Sequence, residues 1–107
     1  MITAQQIQQG ITLAQQASQQ AYDAMGGDRY ACGFAWVDVY VDRTNSKQAK
    51  ELLAAGFRKD YKPRCVSMWN PGGLGVQNID IKERGVEAMA AYLRALGLNA
   101  YAGSRLD

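Results

Sequence analysis

The strongest constraint on the fold is the alternating stretch from Ala31 to Val41. Successive side chains of a β-strand point to opposite faces, so this alternation predicts a strand with two different sides. One side is small and aliphatic and suits packing against helices. The other carries Phe34, Trp36, Asp38 and Tyr40, which mix aromatic rings with a carboxylate and are not typical of a core face. What covers this second side is therefore the functional question.

Composition predicts a single folded domain over residues 1–107 rather than a disordered chain, because 48% of the residues are hydrophobic and only 21% are charged. The net charge of +2 is too small to indicate a nucleic-acid partner by itself. The positive charge is concentrated, however. Residues 43–64 contain seven basic residues against two acidic ones, a pattern typical of a solvated helix face or of a surface for anions.

The chain contains no histidine, which excludes Ser-His-Asp and Cys-His catalysis and histidine metal sites. Its two cysteines, Cys32 and Cys65, are too few for a disulfide scaffold or a four-cysteine zinc site. On the predicted sheet they lie two strands apart, about 9–10 Å, beyond the ~7 Å limit for a disulfide. We therefore expect free thiols and no resident metal, cofactor or catalytic residues.

An amphipathic helix is predicted at the N-terminus, capped by Thr3, running to about Met25 and ended by Gly26–Gly27. Its apolar stripe is thin and most of its other residues are glutamines. Residues 1–27 are interpreted as an element that packs on its own domain, covers the sheet or pairs with another chain. Residues 28–107 would form the core of the domain.

Two further helices are predicted, each ended by a glycine and a hydrophobic residue. The first covers about 46–55, with Gly56 in a left-handed conformation and Phe57 closing back on the helix. The second covers about 82–96 and is stopped by Gly97. Leu98 can fold back in the same way as Phe57.

Three more strands are predicted, at Cys65 to Trp69, at 76–81 and at 99–104. The segment 70–75 is interpreted as a hairpin loop between the first two of them. It lacks the Lys-Ser/Thr of a phosphate-binding P-loop.

This order of elements predicts an α+β fold with a ferredoxin-like (split βαβ, order βαββαβ) antiparallel four-stranded sheet, preceded by the N-terminal helix. The strand order would be 4-1-3-2, with the Ala31–Val41 strand in the interior. Both crossover helices would lie on one face and leave the other open. By parity, the open face would carry Phe34, Trp36, Asp38, Tyr40, Cys65, Ser67, Trp69, Val76, Asn78 and Asp80.

The predicted function is that of a non-enzymatic protein that binds nucleic acid or a nucleotide-type ligand. Bases would stack on the aromatic rings, and the basic loop before the second strand would contact phosphates. The predicted ligand-binding residues are Phe34, Trp36, Tyr40, Trp69, Arg58, Lys59, Lys62 and Arg64. Two observations oppose this hypothesis. Segment 76–81 lacks the RNP1 pattern, and Asp38 and Asp80 place negative charge on the same face.

Two alternatives remain open at this point. In the first, the aromatic face is buried against protein, as in an interaction or sequestering inhibitor protein of phage or mobile-element type. In the second, Asp38 and Asp80 hold Mg²⁺ for nucleotidyl or phosphoryl transfer. A homo-oligomer, most simply a dimer, is also expected. Cytoplasmic location without a membrane partner is also expected, because no secretion signal or membrane-length apolar run is visible.

Overall fold

The computed structural model describes residues 1–26, 31–75 and 78–106. Within them the chain forms α1 (Ala4–Met25), β1 (Gly33–Tyr40), α2 (Lys47–Ala54), β2 (Arg58–Lys59), β3 (Cys65–Trp69), α3 (Ile79–Ala95) and β4 (Asn99–Leu106). Gly27, predicted at a helix end, and Val76, predicted in a strand, lie outside the described residues. No helix in the described part of the chain combines the length and the apolar character needed to cross a bilayer.

The strands form one four-stranded sheet in the order β2-β3-β1-β4, and every neighbouring pair is antiparallel. The predicted α+β class, antiparallel sheet and N-terminal helix are therefore confirmed, as is the interior position of β1. The aliphatic side of β1 faces the helices, where Ala35, Val37 and Val39 are at most 1% exposed. The core between sheet and helices includes Ile7, Leu52, Phe57, Val66, Met89 and Leu93.

Helix α1 lies against the other helices and not over the aromatic side of the sheet. Thr3 begins it with a capping box, in which its hydroxyl accepts from the Gln6 N–H and the Gln6 side chain accepts from the Thr3 N–H. The buried Ser18 donates to the Ile81 carbonyl at 3.0 Å, and the Tyr92 hydroxyl donates to the Gln6 carbonyl at 3.1 Å. These bonds join α1 to α3, so the described residues leave the far face of the sheet uncovered by α1.

The predicted helix endings before β2 and β4 are confirmed. Gly56 and Gly97 have φ angles of 114° and 98°, a region that glycine adopts without steric cost. The Phe57 N–H donates to the Leu52 carbonyl, and the equivalent bond ends α3 (Leu98 N–H to Leu93 O), both at 3.0 Å. Each ending turns the chain from a helix directly into a strand.

The strand predicted over 76–81 is wrong, because this segment contains the start of α3. The Asn78 side chain accepts from the backbone N–H groups of Asp80 (2.8 Å) and Ile81 (3.4 Å) and caps the helix. Helix α3 thus begins a turn earlier than the predicted residue 82. Ile79 and Ile81 are both buried as predicted, but in the first turn of a helix. Segment 70–75 consequently leads into α3 and is not a strand-to-strand hairpin.

One edge of the sheet is formed by a short strand, β2, within the segment predicted to be a basic loop. Arg58 and Lys59 pair with Ser67 and Val66 of β3. Residues 60–64 form the connecting loop, closed by a bond from the Asp60 N–H to the Cys65 carbonyl at 3.0 Å. The hairpin of this domain is therefore β2–β3.

Candidate nucleic-acid interface

Register brings the aromatic residues of β1 and β3 together on the face opposite the helices. Trp36 pairs with Trp69, and Asp38 pairs with Ser67. Residues directly opposite each other in antiparallel strands share a face, so the predicted parity is confirmed for these positions. The rings of Trp36 and Trp69 stack with centroids 4.8 Å apart and planes at 27°. Trp69 is 51% exposed, so the stacked pair is open to a ligand.

Phe34 extends this aromatic cluster, and two cationic side chains lie over its ring. Its ring meets Trp69 edge-on at 5.9 Å. The guanidinium of Arg105 lies 5.4 Å from the Phe34 centroid and 6.0 Å from that of Trp69. The ammonium of Lys82 lies 5.5 Å from the Phe34 ring and donates to the Gly33 carbonyl at 2.8 Å. These are cation–π distances, and they bring positive charge to the edge of the aromatic surface.

Arg105 and Lys82 were not selected from the sequence. Arg105 reaches the site because β4 pairs with β1 in a register that sets it opposite Phe34. Lys82 reaches it from the start of α3, where the predicted helix over about 82–96 also begins. The pairing of β4 with β1 reveals Arg105 and the packing of α3 beside Phe34 reveals Lys82, and composition carries no signal for either.

Asp38 lies at the centre of this face, and its charge is matched. Its carboxylate accepts from the Ser67 hydroxyl at 2.6 Å, the Trp36 indole N–H at 3.2 Å and the Lys62 ammonium at 2.5 Å. Asp38 is only 7% exposed. The negative charge that opposed a phosphate ligand is therefore buried and paired.

Lys62 was predicted to contact phosphates, and its ammonium is already bound. Besides Asp38, it lies 3.6 Å from the Asp60 carboxylate. The hydrogen bond that Lys62 donates to Asp38 raises the pKa of Lys62, an effect that burial only partly opposes. Lys62 thus acts within the protein as the counter-ion of Asp38.

The other three predicted basic residues are exposed but do not form one group. Arg58 lies opposite Ser67 and therefore lies on the same side of the sheet as Trp69. Lys59 lies opposite the buried Val66 and so belongs to the opposite face. Arg64 sits at the end of the loop with φ 55°, where its carbonyl accepts from the Val41 N–H at 2.8 Å. Of these residues, the geometry associates Arg58 with the aromatic surface.

A second aromatic pair lies toward the other end of β1. Tyr40 and Tyr101 meet edge-on with centroids 6.1 Å apart, and Tyr101 is 52% exposed. Tyr101 was not among the predicted residues, since its place beside Asp38 follows from the β1–β4 register. We call Phe34, Trp36, Tyr40, Trp69 and Tyr101 the aromatic face.

A recess opens between the tryptophan pair and the β2–β3 loop. Its volume is about 120 Å³, and it is lined by Trp36, Asp60, Tyr61, Lys62, Trp69 and Arg105. Pockets that enclose a small ligand usually measure about 300–1,000 Å³. The recess therefore has room for part of a ligand spread over the surface and not for an enclosed one.

Comparison with known proteins gives no further guide. No family model, no curated protein and no solved structure matches this chain.

The structure separates the two carboxylates of the predicted magnesium site. Asp80 is exposed in the first turn of α3, whereas Asp38 is buried on β1. A different group of possible ligand atoms, from Asp38, Asp60 and Cys65, lies within 4.8 Å. The Lys62 ammonium is bonded to the first of these carboxylates and lies close to the second, so a cation there would have to displace it.

Both cysteines are free thiols, as predicted. Cys32 is exposed and Cys65 is fully buried beside Ser67. Burial raises the pKa of the Cys65 thiol, with a further contribution from the charge of Asp38. Because the thiolate is the nucleophilic form, Cys65 is poorly suited to covalent catalysis.

Proposed function

We propose that this protein binds single-stranded nucleic acid on the aromatic face, without catalysing a reaction. Bases stack on the exposed rings, and the cations along the face contact the phosphates. Stacking is tolerant of sequence because every base has a π-face. The expected preference is therefore for unpaired strands over duplexes, with little discrimination between sequences.

The observation that carries this proposal is the stacked pair of Trp36 and Trp69 on the helix-free side of the sheet. Trp69 of this pair is half exposed to solvent and has the Arg105 guanidinium beside it. Large exposed aromatic groups on a surface usually mark an interaction site. An adjacent cation favours an anionic partner over a purely apolar one.

The distribution of rings supports a polymer over a free nucleotide. From Phe34 to Tyr40 the face extends about 20 Å, at ~3.3 Å per strand residue. Rings occur near both ends of this span.

We also propose a fold, a cellular compartment and an oligomeric state for this protein. The fold follows the ferredoxin-like plan, supported by the element order and by the sheet read from its other edge as β4-β1-β3-β2. The protein acts in the cytoplasm, where single-stranded nucleic acid is available to it. It acts as a homo-oligomer, which would extend a surface of only about 20 Å.

Tryptophan fluorescence tests the proposal directly. The full chain is titrated at low salt with fluorescence-silent single-stranded DNA and RNA oligonucleotides and with a duplex of equal length. We expect quenching by single strands and a binding constant that falls with salt. Trp69→Leu should weaken binding about 5- to 150-fold, the equivalent of the ~1–3 kcal/mol of one stacked base.

A matched pair of arginine variants supplies the control. Arg105→Gln should weaken binding and lower the salt slope by about 0.7, the value for one phosphate contact with a single strand. Arg84→Gln makes the same charge change on the exposed surface of α3, away from the aromatic face, and should leave the slope unchanged. Equal losses in the two variants, or no quenching by any oligonucleotide, would contradict the proposal.

A further inference from the structure

Strand β4 forms a long, uncovered edge of the sheet. It has eight residues, is last in the strand order, and no strand lies beyond it among the described residues. Natural proteins usually protect such edges with lysine, proline or a bulge. Here β4 contains no lysine or proline, and Arg105, its only charge, lies over Phe34.

The backbone groups that β4 offers follow from two hydrogen bonds of β1. The Asn70 N–H donates to the Ala35 carbonyl at 2.9 Å, and the Val41 N–H donates to the Arg64 carbonyl at 2.8 Å. The odd-numbered residues of β1 therefore bond toward β3, and the even-numbered ones bond toward β4. In the observed register, the even residues of β1 face Asn99, Tyr101, Gly103 and Arg105. The groups directed outward are those of Ala100, Ala102, Ser104 and Leu106.

One of these outward groups has a partner already. The Arg94 guanidinium donates to the Ala100 carbonyl at 3.0 Å. A carbonyl has two lone pairs, so this bond does not exclude a second donor. Ala102 and Ser104, at the middle of the edge, have exposed side chains. Their N–H and C=O groups form the accessible centre of the edge.

We propose that a second copy of this chain pairs with β4 across a twofold axis, antiparallel and centred on Gly103. Antiparallel strands join outward-directed residues to outward-directed residues, so Ala102 faces the partner's Ser104 and Ser104 faces the partner's Ala102. The same register sets Tyr101 opposite the partner's Arg105. The two sheets become one sheet of eight strands, with both aromatic faces on the same side.

Charge and ring placement favour this register and a second copy as the occupant. Tyr101 is 52% exposed, and pairing across the axis covers part of its ring with the partner's strand. If the axis passed through Ala102, Tyr101 would face the partner's Gly103. If it passed through Ser104, Tyr101 would face a position beyond the described end of β4. Because Arg105 is the only charge in the strand, self-pairing opposes no like charges. A twofold axis forms each favourable contact twice.

Two variants that differ at one position test the register. Both variants carry Ser104→Lys. In the wild type the Glu83 carboxylate accepts a hydrogen bond from the Ser104 hydroxyl at 2.9 Å, and the new lysine gives that carboxylate another partner. One variant adds Ala102→Lys, so that a lysine at position 102 faces the partner's lysine at position 104 on both sides of the axis. The other adds Ala102→Glu, so that a glutamate faces that lysine on both sides of the axis. We expect the dimer dissociation constants, from sedimentation equilibrium of the full chain, to differ by about tenfold or more, with the lysine–lysine variant weaker.

Hydrogen exchange of the wild-type chain locates the interface. At concentrations above the dimer dissociation constant, the N–H groups of Ala102 and Ser104 should be protected, and on dilution they should exchange freely. A monomeric mass at millimolar concentration would overturn the proposal. So would equal dissociation constants for the two variants, or a dimer that leaves both N–H groups unprotected. No nucleic acid is present in these measurements, so their outcome is independent of the proposed binding function.

Discussion

The indole of Trp36 lies against the backbone of Gly103. The two residues are opposite each other in the β1–β4 register. A Cβ placed on Gly103 would be 2.5 Å from Trp36 Nε1 and 2.6 Å from Cε2. Only a residue without a side chain leaves room for the ring there. Gly103 therefore fixes the position from which Trp36 stacks on Trp69 and donates to Asp38.

Gly103→Ala should displace the Trp36 ring. We expect a loss of about 1–3 kcal/mol in the free energy of unfolding, typical of overpacking at a rigid contact, and a changed tryptophan emission spectrum. Urea denaturation followed by fluorescence measures both. Gly75→Ala is the control, because a Cβ at Gly75 meets no atom of the described part of the chain within 4 Å, and that variant should be neutral. An unperturbed spectrum in Gly103→Ala would show that the ring does not depend on this contact.

Asp38→Asn should destabilise the protein through the loss of a charge and not of volume. The buried carboxylate accepts three hydrogen bonds, one from an ammonium. Its neutral substitute leaves Lys62 without its main counter-ion, which should cost about 1–3 kcal/mol in the free energy of unfolding. Asp42→Asn, at an exposed position after β1, should change stability by less than about 0.5 kcal/mol. Similar midpoints for the two variants in urea would contradict this role of Asp38.

The contribution of Lys62 should be lost only at strongly alkaline pH. Its pKa is raised in the folded protein, so the folded state holds the proton more tightly than the unfolded state. The stabilisation is complete below the ordinary lysine pKa of about 10.4 and declines as pH rises above it.

The measurement is the difference in free energy of unfolding between wild type and Lys62→Met, from pH 7 to 11. This difference should be constant to about pH 10 and should then shrink. Cys65 titrates in both proteins, so subtraction removes most of its contribution. A difference that grows with pH would contradict a raised pKa of Lys62 in the folded protein.

The two thiols should differ widely in reactivity. Cys32 is exposed, whereas Cys65 has no exposed surface and a raised pKa. A disulfide reagent such as DTNB should modify Cys32 at least about a hundredfold faster than Cys65, which requires local opening. Cys32→Ser should retain only the slow phase and Cys65→Ser only the fast one. Two fast phases in the wild type would show that β3 opens readily.

Features that depend on neighbouring residues were predictable from the sequence. Thr3 caps α1 as predicted, and Ser46, the first residue of the predicted second helix, caps α2. The helix endings at Gly56 and Gly97 were predictable because such an ending depends on the backbone conformation of the glycine and its immediate neighbours. The two sides of β1 followed from its alternation, which is long enough to be unambiguous.

Features that depend on short segments or on distant pairing were not predictable. In 76–81 the isoleucines alternate, yet an asparagine cap and the first turn of a helix bury the same two residues. Strand β2, at two residues, is too short to show any period. Arg105, Gly103 and Tyr101 enter the aromatic face through the β1–β4 register, in which they pair with residues of β1 that are distant in sequence.

The two edges of the sheet are unequal, and this inequality limits the size of any assembly. Strand β4 offers eight residues at one edge, but β2 offers only two at the other. A fibre requires two competent edges on every subunit, one to receive a neighbour and one to extend the row. A chain that can grow in one direction only is complete after a single addition, so the shortness of β2 protects against open-ended aggregation.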